Sequence, residues 1–234
     1  MVHSLGLSIV IPTVNEYENL SKLLPFLRKN APTEHLEIIV CDASNATQNI
    51  EDLCDRSDAV YQNCPQRRRS SQLHTGALRA SHNNLLFIHA DVIPPTDFYE
   101  LVINLLNKEN TCGSFSYRFD SKSKFLAFNA STTKSIGIFT GGGDQGLAIT
   151  RKDYESLGGY DTSVSFMEDY DFYDRIKASN LTFKIMDGEC TVSARKYEKN
   201  SYVKVNLSHF VIFSGYRLGV NDSKLAKLYK MLLN

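Results

Sequence analysis

Acidic and amide side chains recur in this chain where apolar runs give way to polar loops. Asn15 and Glu16 follow the run Leu7 to Ile11, Asp42 follows Ile38 to Cys41, and Asp91 follows Leu85 to Ile88. One acid at such a point caps a helix or opens a turn. Several at successive strand ends form a cluster facing one crevice, which suits a divalent cation or a ligand with many hydroxyls. Glu168 and Asp169 open a later segment that carries Phe172 and Ile176 on one side. A carboxylate fixed at a helix start beside a crevice is a candidate general base. The run Gly141 to Gly146, GGGDQG, formally matches GxGxxG. The dinucleotide fingerprint follows a first strand and opens a helix, whereas this run lies past mid-chain and precedes the strand-like Leu147 to Thr150. It is read as a close-approach loop presenting Asp144 and Gln145 to a ligand.

These side chains need a scaffold, and the first half of the chain describes one. Leu7 to Ile11 is β-branched and stops at Pro12, as a buried strand meeting a loop does. Leu20, Leu23, Leu24 and Leu27 recur on one helical face. Further strands are predicted at Ile38 to Cys41, near Ala59 to Tyr61, and at Leu85 to Ile88. A helix through Phe98, Leu101, Val102, Leu105 and Leu106 follows, with Thr96 as its N-cap. Alternating strands and helices imply right-handed crossovers and a mainly parallel sheet. Ligands bind such a sheet outside the carboxyl ends of its strands, where the acids stand.

Composition narrows the class. The chain has 234 residues, 42% of them apolar, enough for one large domain with a sizeable core. Lys plus Arg and Asp plus Glu are both 26, so net charge gives no reason to expect nucleic acid as a partner. Five cysteines without CxxC spacing indicate neither a zinc ribbon nor a thioredoxin-type site. The opening residues lack the basic and apolar regions of a signal peptide. No stretch approaches the roughly 18 apolar residues of a spanning helix. The expectation is a cytoplasmic, reduced protein, in which triplets such as Asn45-Ala46-Thr47 and Asn180-Leu181-Thr182 are chance matches to a glycosylation signal.

Taken together, LSIVIPTVNEYENL (Leu7 to Leu20), EIIVCDAS (Glu37 to Ser44), LLFIHAD (Leu85 to Asp91) and MEDYDF (Met167 to Phe172) resemble the family 2 glycosyltransferases, an inverting group with the GT-A fold. The resemblance implies a nucleotide-binding Asp42, a metal-binding Asp91 and a catalytic Glu168-Asp169 motif whose aspartate is the base. RSSQLHTGA from Arg69, GDQG from Gly143, LGGYD from Leu157, SARKYEKN from Ser193 and LGVNDSKLAKLY from Leu218 look like one bacterial subfamily. Some members of it are associated with arsenosugar biosynthesis. The family's first metal-site acid is replaced here by His89, which can ligate Mn²⁺ and, less readily, Mg²⁺.

The implied enzyme is a hexosyltransferase-like glycosyltransferase using a nucleotide-diphosphate sugar, a divalent metal (Mn²⁺ or Mg²⁺) and an unknown acceptor. The resemblance assigns Pro12, Asn15, Glu16, Asp42, Arg69, Ala90, Asp144, Gln145 and Arg195 to the nucleotide sugar, Asp91 and His89 to the metal, and Asp169 with Glu168 to catalysis. Arg69 and Arg195 would assist the metal at the departing diphosphate. The expected organisation is a single GT-A domain, with residues 1–110 for the nucleotide, 111–200 for acceptor and catalysis, and 201–234 as a helical extension. Leu207, Phe210, Val211, Leu225, Leu228 and Leu232 mark that extension, and Lys224, Lys227 and Lys230 give it a basic edge. Such helices pack on their own domain, on a second copy in a homodimer, or peripherally on the inner face of a membrane. The alternatives are a sugar-phosphate nucleotidyltransferase, which would want a Gly-rich phosphate loop after the first strand, and a non-catalytic nucleotide-sugar-binding or assembly protein, against which Asp42, Asp91 and Asp169 together argue.

Overall fold

Strand β1 (Leu7–Thr13) is buried along its whole length, because helices cover both of its faces. The computed structural model describes residues 5–44, 49–137 and 140–233, so the Asn45 triplet lies outside the described residues. β1 pairs in parallel with β2 (Leu36–Asp42) on one side and β4 (Asn84–Phe87) on the other, and β2 pairs in parallel with β3 (Val60–Asn63). Helices α1 (Tyr17–Lys29), α2 (Ile50–Arg56) and α3 (Arg69–Arg79) make the crossovers. Alternation along the strands sorts the core into two layers. Leu7, Ile9, Ile11, Ile38 and Val40 meet Leu20, Leu23, Leu24 and Leu27 of α1 together with α4 (Phe98–Leu106). Val10, Ile39 and Cys41 meet Leu73 and Ala77 of α3 on the opposite face.

The second half extends the same sheet with a change of direction. β7 (Leu147–Thr150) runs antiparallel to β4 and to β6 (Thr111–Phe119), and β6 pairs in parallel with β8 (Thr182–Val192). The end of β8 takes the short β5 (Val92–Ile93) antiparallel, giving the order β3-β2-β1-β4-β7-β6-β8-β5. Four of the seven pairings among the described residues are parallel. Helices α5 (Lys124–Ser131), α6 (Arg151–Ser156), α7 (Glu168–Ala178), α8 (Arg195–Lys199), α9 (Tyr202–Arg217) and α10 (Asp222–Leu233) complete the chain. Phe172 and Ile176 of α7 are buried in the α3 layer, as their spacing predicts. α10 packs on α9, with Leu225 buried against Gly215, and Asp222 accepts hydrogen bonds from the backbone and hydroxyl of Ser165, ahead of α7.

Two local expectations need correction. β1 runs through Pro12 to Thr13 instead of stopping at Pro12. The β4 pairing ends at Val10, so the missing Pro12 N–H is not called upon from that side. The N-cap of α4 is Asp97, with no side-chain capping bond, and not Thr96. Phe98 N donates to Pro95 O, so α4 starts from a turn that already contains Thr96.

Candidate active site

The carboxyl ends of β1, β2 and β4 open on one side of the sheet, and the acids singled out above collect there in three groups. The first lies beyond β1 and β2, which finish in register at Thr13 and Asp42. Gln72 of α3 locks the two ends together, donating to Thr13 O at 2.8 Å and to Cys41 O at 2.6 Å. Asp42 is buried and accepts hydrogen bonds from Ser44 N and Oγ and, at 3.4 Å, from the Tyr61 hydroxyl. Asn15, with a left-handed φ of 57°, turns the chain so that its N–H donates to Ser44 Oγ. The Thr13 hydroxyl is buried without a hydrogen-bond partner among the described residues, although buried hydroxyls rarely go unpaired.

In the second group the Arg195 guanidinium, at the start of α8, lies 3.8 Å from Glu16 Oε2 and 3.7 Å from Asp91 Oδ2. It draws together the acids that end β1 and follow β4. All three side chains are a third exposed or more, so the pairing is open to exchange with a ligand. Pro12 and Ala90 are buried beside these groups.

The third group joins α3, β4, the glycine loop and α7. Met167, at φ 66°, turns the chain into α7 so that Glu168 and Asp169 stand in its first turn. Arg69 Nη1, at the start of α3, donates to Glu168 Oε1 at 2.9 Å and lies 3.9 Å from Asp169 Oδ2. His89 bridges from the other side, with Nε2 4.0 Å from Asp169 Oδ2 and Nδ1 3.7 Å from Asp144 Oδ1. The Asp169 side chain is 14% exposed and that of Glu168 only 4%. Burial pushes the Asp169 carboxyl up and the adjacent Glu168 charge pushes it further; His89 and Arg69 oppose them, and the result is a pKa of about 7. For Asp144 burial acts upward too, but the His89 bond and charge outweigh it and hold the carboxyl at about 2. Burial and Arg69 lower the His89 imidazole, yet Asp144 and Asp169 together carry it above the ordinary value.

The glycine loop approaches closely, but what it approaches is the protein's own site. Gly143 faces the His89 ring and Asp169 Oδ2 with no room for a Cβ, and Gly141, at φ 97°, lies against the Tyr173 ring. Gln145 is buried inside the loop, accepting from Gly141 N at 3.1 Å and donating to Phe115 O at 3.3 Å. Asp144 is half-exposed and alone of the pair faces the site. A narrow cleft runs beside the loop. Its walls include Phe87, Tyr160 and Tyr173, with His89, Asp169 and Ser114 as polar members. The Ser114 hydroxyl also lacks a partner among the described residues.

The structure thus brings Asp169, Glu168, Arg69, His89 and Asp144 into one cluster, and Glu16, Asp91 and Arg195 into another. Sequence reasoning missed Thr13, Tyr61 and Ser114. Thr13 was open to discovery as the hydroxyl that ends a buried strand beside Asp42, whereas Ser114 sits inside a buried strand with nothing in its spacing to mark it. Among the described residues no three His, Cys, Asp or Glu side chains are grouped to hold a metal ion by themselves.

Residues 8–156 match the family model described as glycosyl transferase family 2. No curated protein sequence matches significantly. Solved structures share the fold at low identity. A mannosyltransferase from Pyrobaculum calidifontis, PcManGT, solved with GDP-Man and Mn²⁺, has a TM-score of 0.69 at 17% identity over 91% of this chain and 63% of its own. GalNAc-T7, solved with UDP, GalNAc and Mn²⁺, gives 0.64 at 14% identity over 80% of this chain and 43% of its own. TarS from S. aureus gives 0.58 at 14% identity, over 81% of this chain and 35% of its own. The chain therefore spans less than two thirds of each of these proteins. The mixed α/β architecture, with its mostly parallel sheet between helices, is the GT-A fold that the sequence led us to expect.

Proposed function

The chain belongs to glycosyl transferase family 2, and on that premise we propose that it moves a sugar from a nucleotide-diphosphate sugar to an acceptor hydroxyl with inversion, Asp169 being the general base. The observation that carries this reading is the setting of Asp169. It is a carboxylate at the rim of the cleft, fixed in the first turn of α7, with a pKa near 7. A general base works best when its pKa lies near the operating pH, and an ordinary aspartate is too acidic for that. A single base facing the acceptor suffices for one inverting displacement, without a second nucleophilic carboxylate.

The other residues follow from where charge develops. In this reading Asp42, with Tyr61 and the unpaired Thr13 hydroxyl beside it, takes the nucleoside, while Pro12, Asn15 and Ala90 shape that floor. Arg195, held between Glu16 and Asp91, is the cation nearest to hand for the diphosphate. Arg69 is committed to Glu168, so we assign it to positioning the Glu168-Asp169 pair. Asp144 addresses sugar or acceptor hydroxyls, and Gln145 braces the loop from within.

A divalent metal fits the residues present, on one condition. Asp91 supplies a single accessible carboxylate, the setting in which Mg²⁺ or Mn²⁺ takes its remaining ligands from substrate phosphates and water. His89 is occupied with Asp144 and Asp169, so we place the metal on Asp91. When bound, the ion would offset the charge gathering on the departing diphosphate.

Five free, buried cysteines agree with a reducing, cytoplasmic setting, which we include in the proposal. The finer assignment to the arsenosugar-type subfamily rests on the sequence motifs alone. A thermal-shift panel of nucleoside diphosphates with and without Mn²⁺ tests the donor reading, because a ligand that binds only the folded state raises Tm. One nucleotide should stabilise the protein in a Mn²⁺-dependent way, and the matching sugar nucleotide should be turned over. A panel in which no nucleotide shifts Tm contradicts the proposal.

A further inference from the structure

Helices α5 and α9 lie side by side. The Tyr202 hydroxyl donates to Asn129 Oδ1 at 2.6 Å, Asn129 Nδ2 donates to Asn206 Oδ1 at 2.7 Å, and the Phe125 and Tyr202 rings meet at 5.3 Å. α9 is apolar on both sides. Val205 and Ile212 are buried on the inner side, yet Val203, Leu207 and Phe210 recur on the outer side at helical spacing. A helix that is apolar all round belongs in a buried environment, and this one is covered on one side only.

The exposure is large and contiguous with that of α5. Phe125 and Phe128 are 69% and 70% exposed, and Val203 and Phe210 are 70% and 61% exposed. Single exposed apolar side chains are ordinary on a protein surface, but a joined patch that includes three phenylalanines marks a contact.

Charge identifies what the contact is. Residues 121–137 and 195–217 carry eight basic side chains against Glu198 as the one acid, a net of +7 in a chain whose total is zero. Some of that charge is committed: Lys134 pairs with Glu189, Arg217 with Asp174, and Arg195 with Glu16 and Asp91. Lys122, Lys124, Lys199 and Lys204 form no ion pair among the described residues. A second copy of the chain seated on this face would bring two basic surfaces together and be repelled. An anionic lipid surface offers the complement, headgroups for the lysines and acyl chains for the aromatic and aliphatic side chains. Among the described residues no helix is long and apolar enough to cross a membrane, so the contact is one of lying on the surface.

We propose that the α5–α9 face docks the protein on an anionic membrane surface, with Phe125, Phe128, Val203, Leu207 and Phe210 entering the interface and Lys122, Lys124, Lys199 and Lys204 meeting the headgroups. This goes beyond the transfer reaction and does not depend on it, because none of these side chains belongs to the cleft.

Co-sedimentation with lipid vesicles tests it. The wild-type protein should sediment with phosphatidylcholine vesicles containing a third phosphatidylglycerol, bind vesicles of phosphatidylcholine alone far more weakly, and come off as salt is raised. Changing Phe125, Phe128 and Phe210 together to Ser should lower partitioning by about tenfold or more. Lys124→Glu with Lys204→Glu should abolish the preference for anionic vesicles while leaving Tm and the nucleotide thermal shift as in the wild type. All five of these positions are exposed, and Tm verifies that the variants fold. Wild-type protein that stays in solution with anionic vesicles overturns the proposal, as does a triple Ser variant that sediments like the wild type. A wild-type dimer in sedimentation velocity that the triple Ser variant dissociates overturns it in favour of a second copy.

Discussion

Arg69 and Glu168 are 99 residues apart in the chain and 2.9 Å apart in space. Their bond ties the start of α3 to the start of α7 and leaves Asp169 as the less strongly paired of the two adjacent acids, 3.9 Å from the same guanidinium. Burial and then the neighbouring Glu168 charge raise the Asp169 pKa to about 7. A base acts in its deprotonated form, so kcat/KM should fall as pH drops below about 7. Glu168→Gln removes the neighbouring charge and lowers the Asp169 pKa, so the acid limb should move to lower pH. A pH–rate profile checks this, and an acid limb unmoved in the Gln variant contradicts it.

Gly143 tests the loop. A Cβ there meets the His89 ring on one side and Asp169 Oδ2 on the other, and both side chains are held in place by their pairing with Asp144 and Arg69. Gly143→Ala should lower stability by about 1–3 kcal/mol, the usual cost of overpacking, and impair transfer more than donor binding. A thermal melt and separate KM and kcat measurements check both parts. Wild-type Tm and kcat would show that the loop does not press on the site.

Asp42, with Tyr61 beside it, is proposed to hold the nucleoside. Asp42→Asn keeps the shape and the buried position but replaces one acceptor oxygen with a donor. Nucleotide affinity should fall by about tenfold, the loss of one charge-assisted hydrogen bond, with the secondary structure intact. Calorimetric titration with the best nucleotide of the panel measures it, and unchanged affinity removes Asp42 from the site.

His209 on α9 stacks on Tyr229 of α10, the ring planes 8° apart. Burial and the nearby Lys196 lower its pKa to about 4. Its folded value is thus depressed below the unfolded one, so the unfolded chain takes up the proton first as pH falls. Stability should be complete above the ordinary imidazole range and decline from about pH 6.5 toward 4. His209→Phe preserves the stack and removes the proton site, so its Tm should fall less than the wild-type Tm over that interval. Parallel Tm curves for the two proteins would contradict the assignment.

The parts of this molecule that were legible in the sequence are those fixed by local pattern. Leu20, Leu23, Leu24 and Leu27 announce a helical face, and Ile38 to Cys41 a buried strand, because helix and strand periods are written in consecutive residues. The acids at the strand ends were legible for the same reason. Partnership across the chain was not. Arg69 reads as a basic residue near two others, and nothing nearby shows that its partner is Glu168. Gln145 and Asp144 are neighbours in one polar run, but the turn that buries one and exposes the other depends on β6 lying behind it. The short β5 and its pairing with the end of β8 are also long-range, and two residues carry too little pattern to register.

Whether Asp169 takes the proton from the acceptor, as proposed, is decided by Asp169→Asn. The amide keeps the size and the place in the first turn of α7 but cannot act as the base. Single-turnover transfer should drop by about 10²–10⁴. Nucleotide affinity measured on the same protein should stay near that of the wild type, because in this account the base serves the acceptor and not the diphosphate. Transfer at the wild-type rate in the Asn variant, or a loss of transfer accompanied by loss of nucleotide affinity, would remove Asp169 from the role of acceptor base.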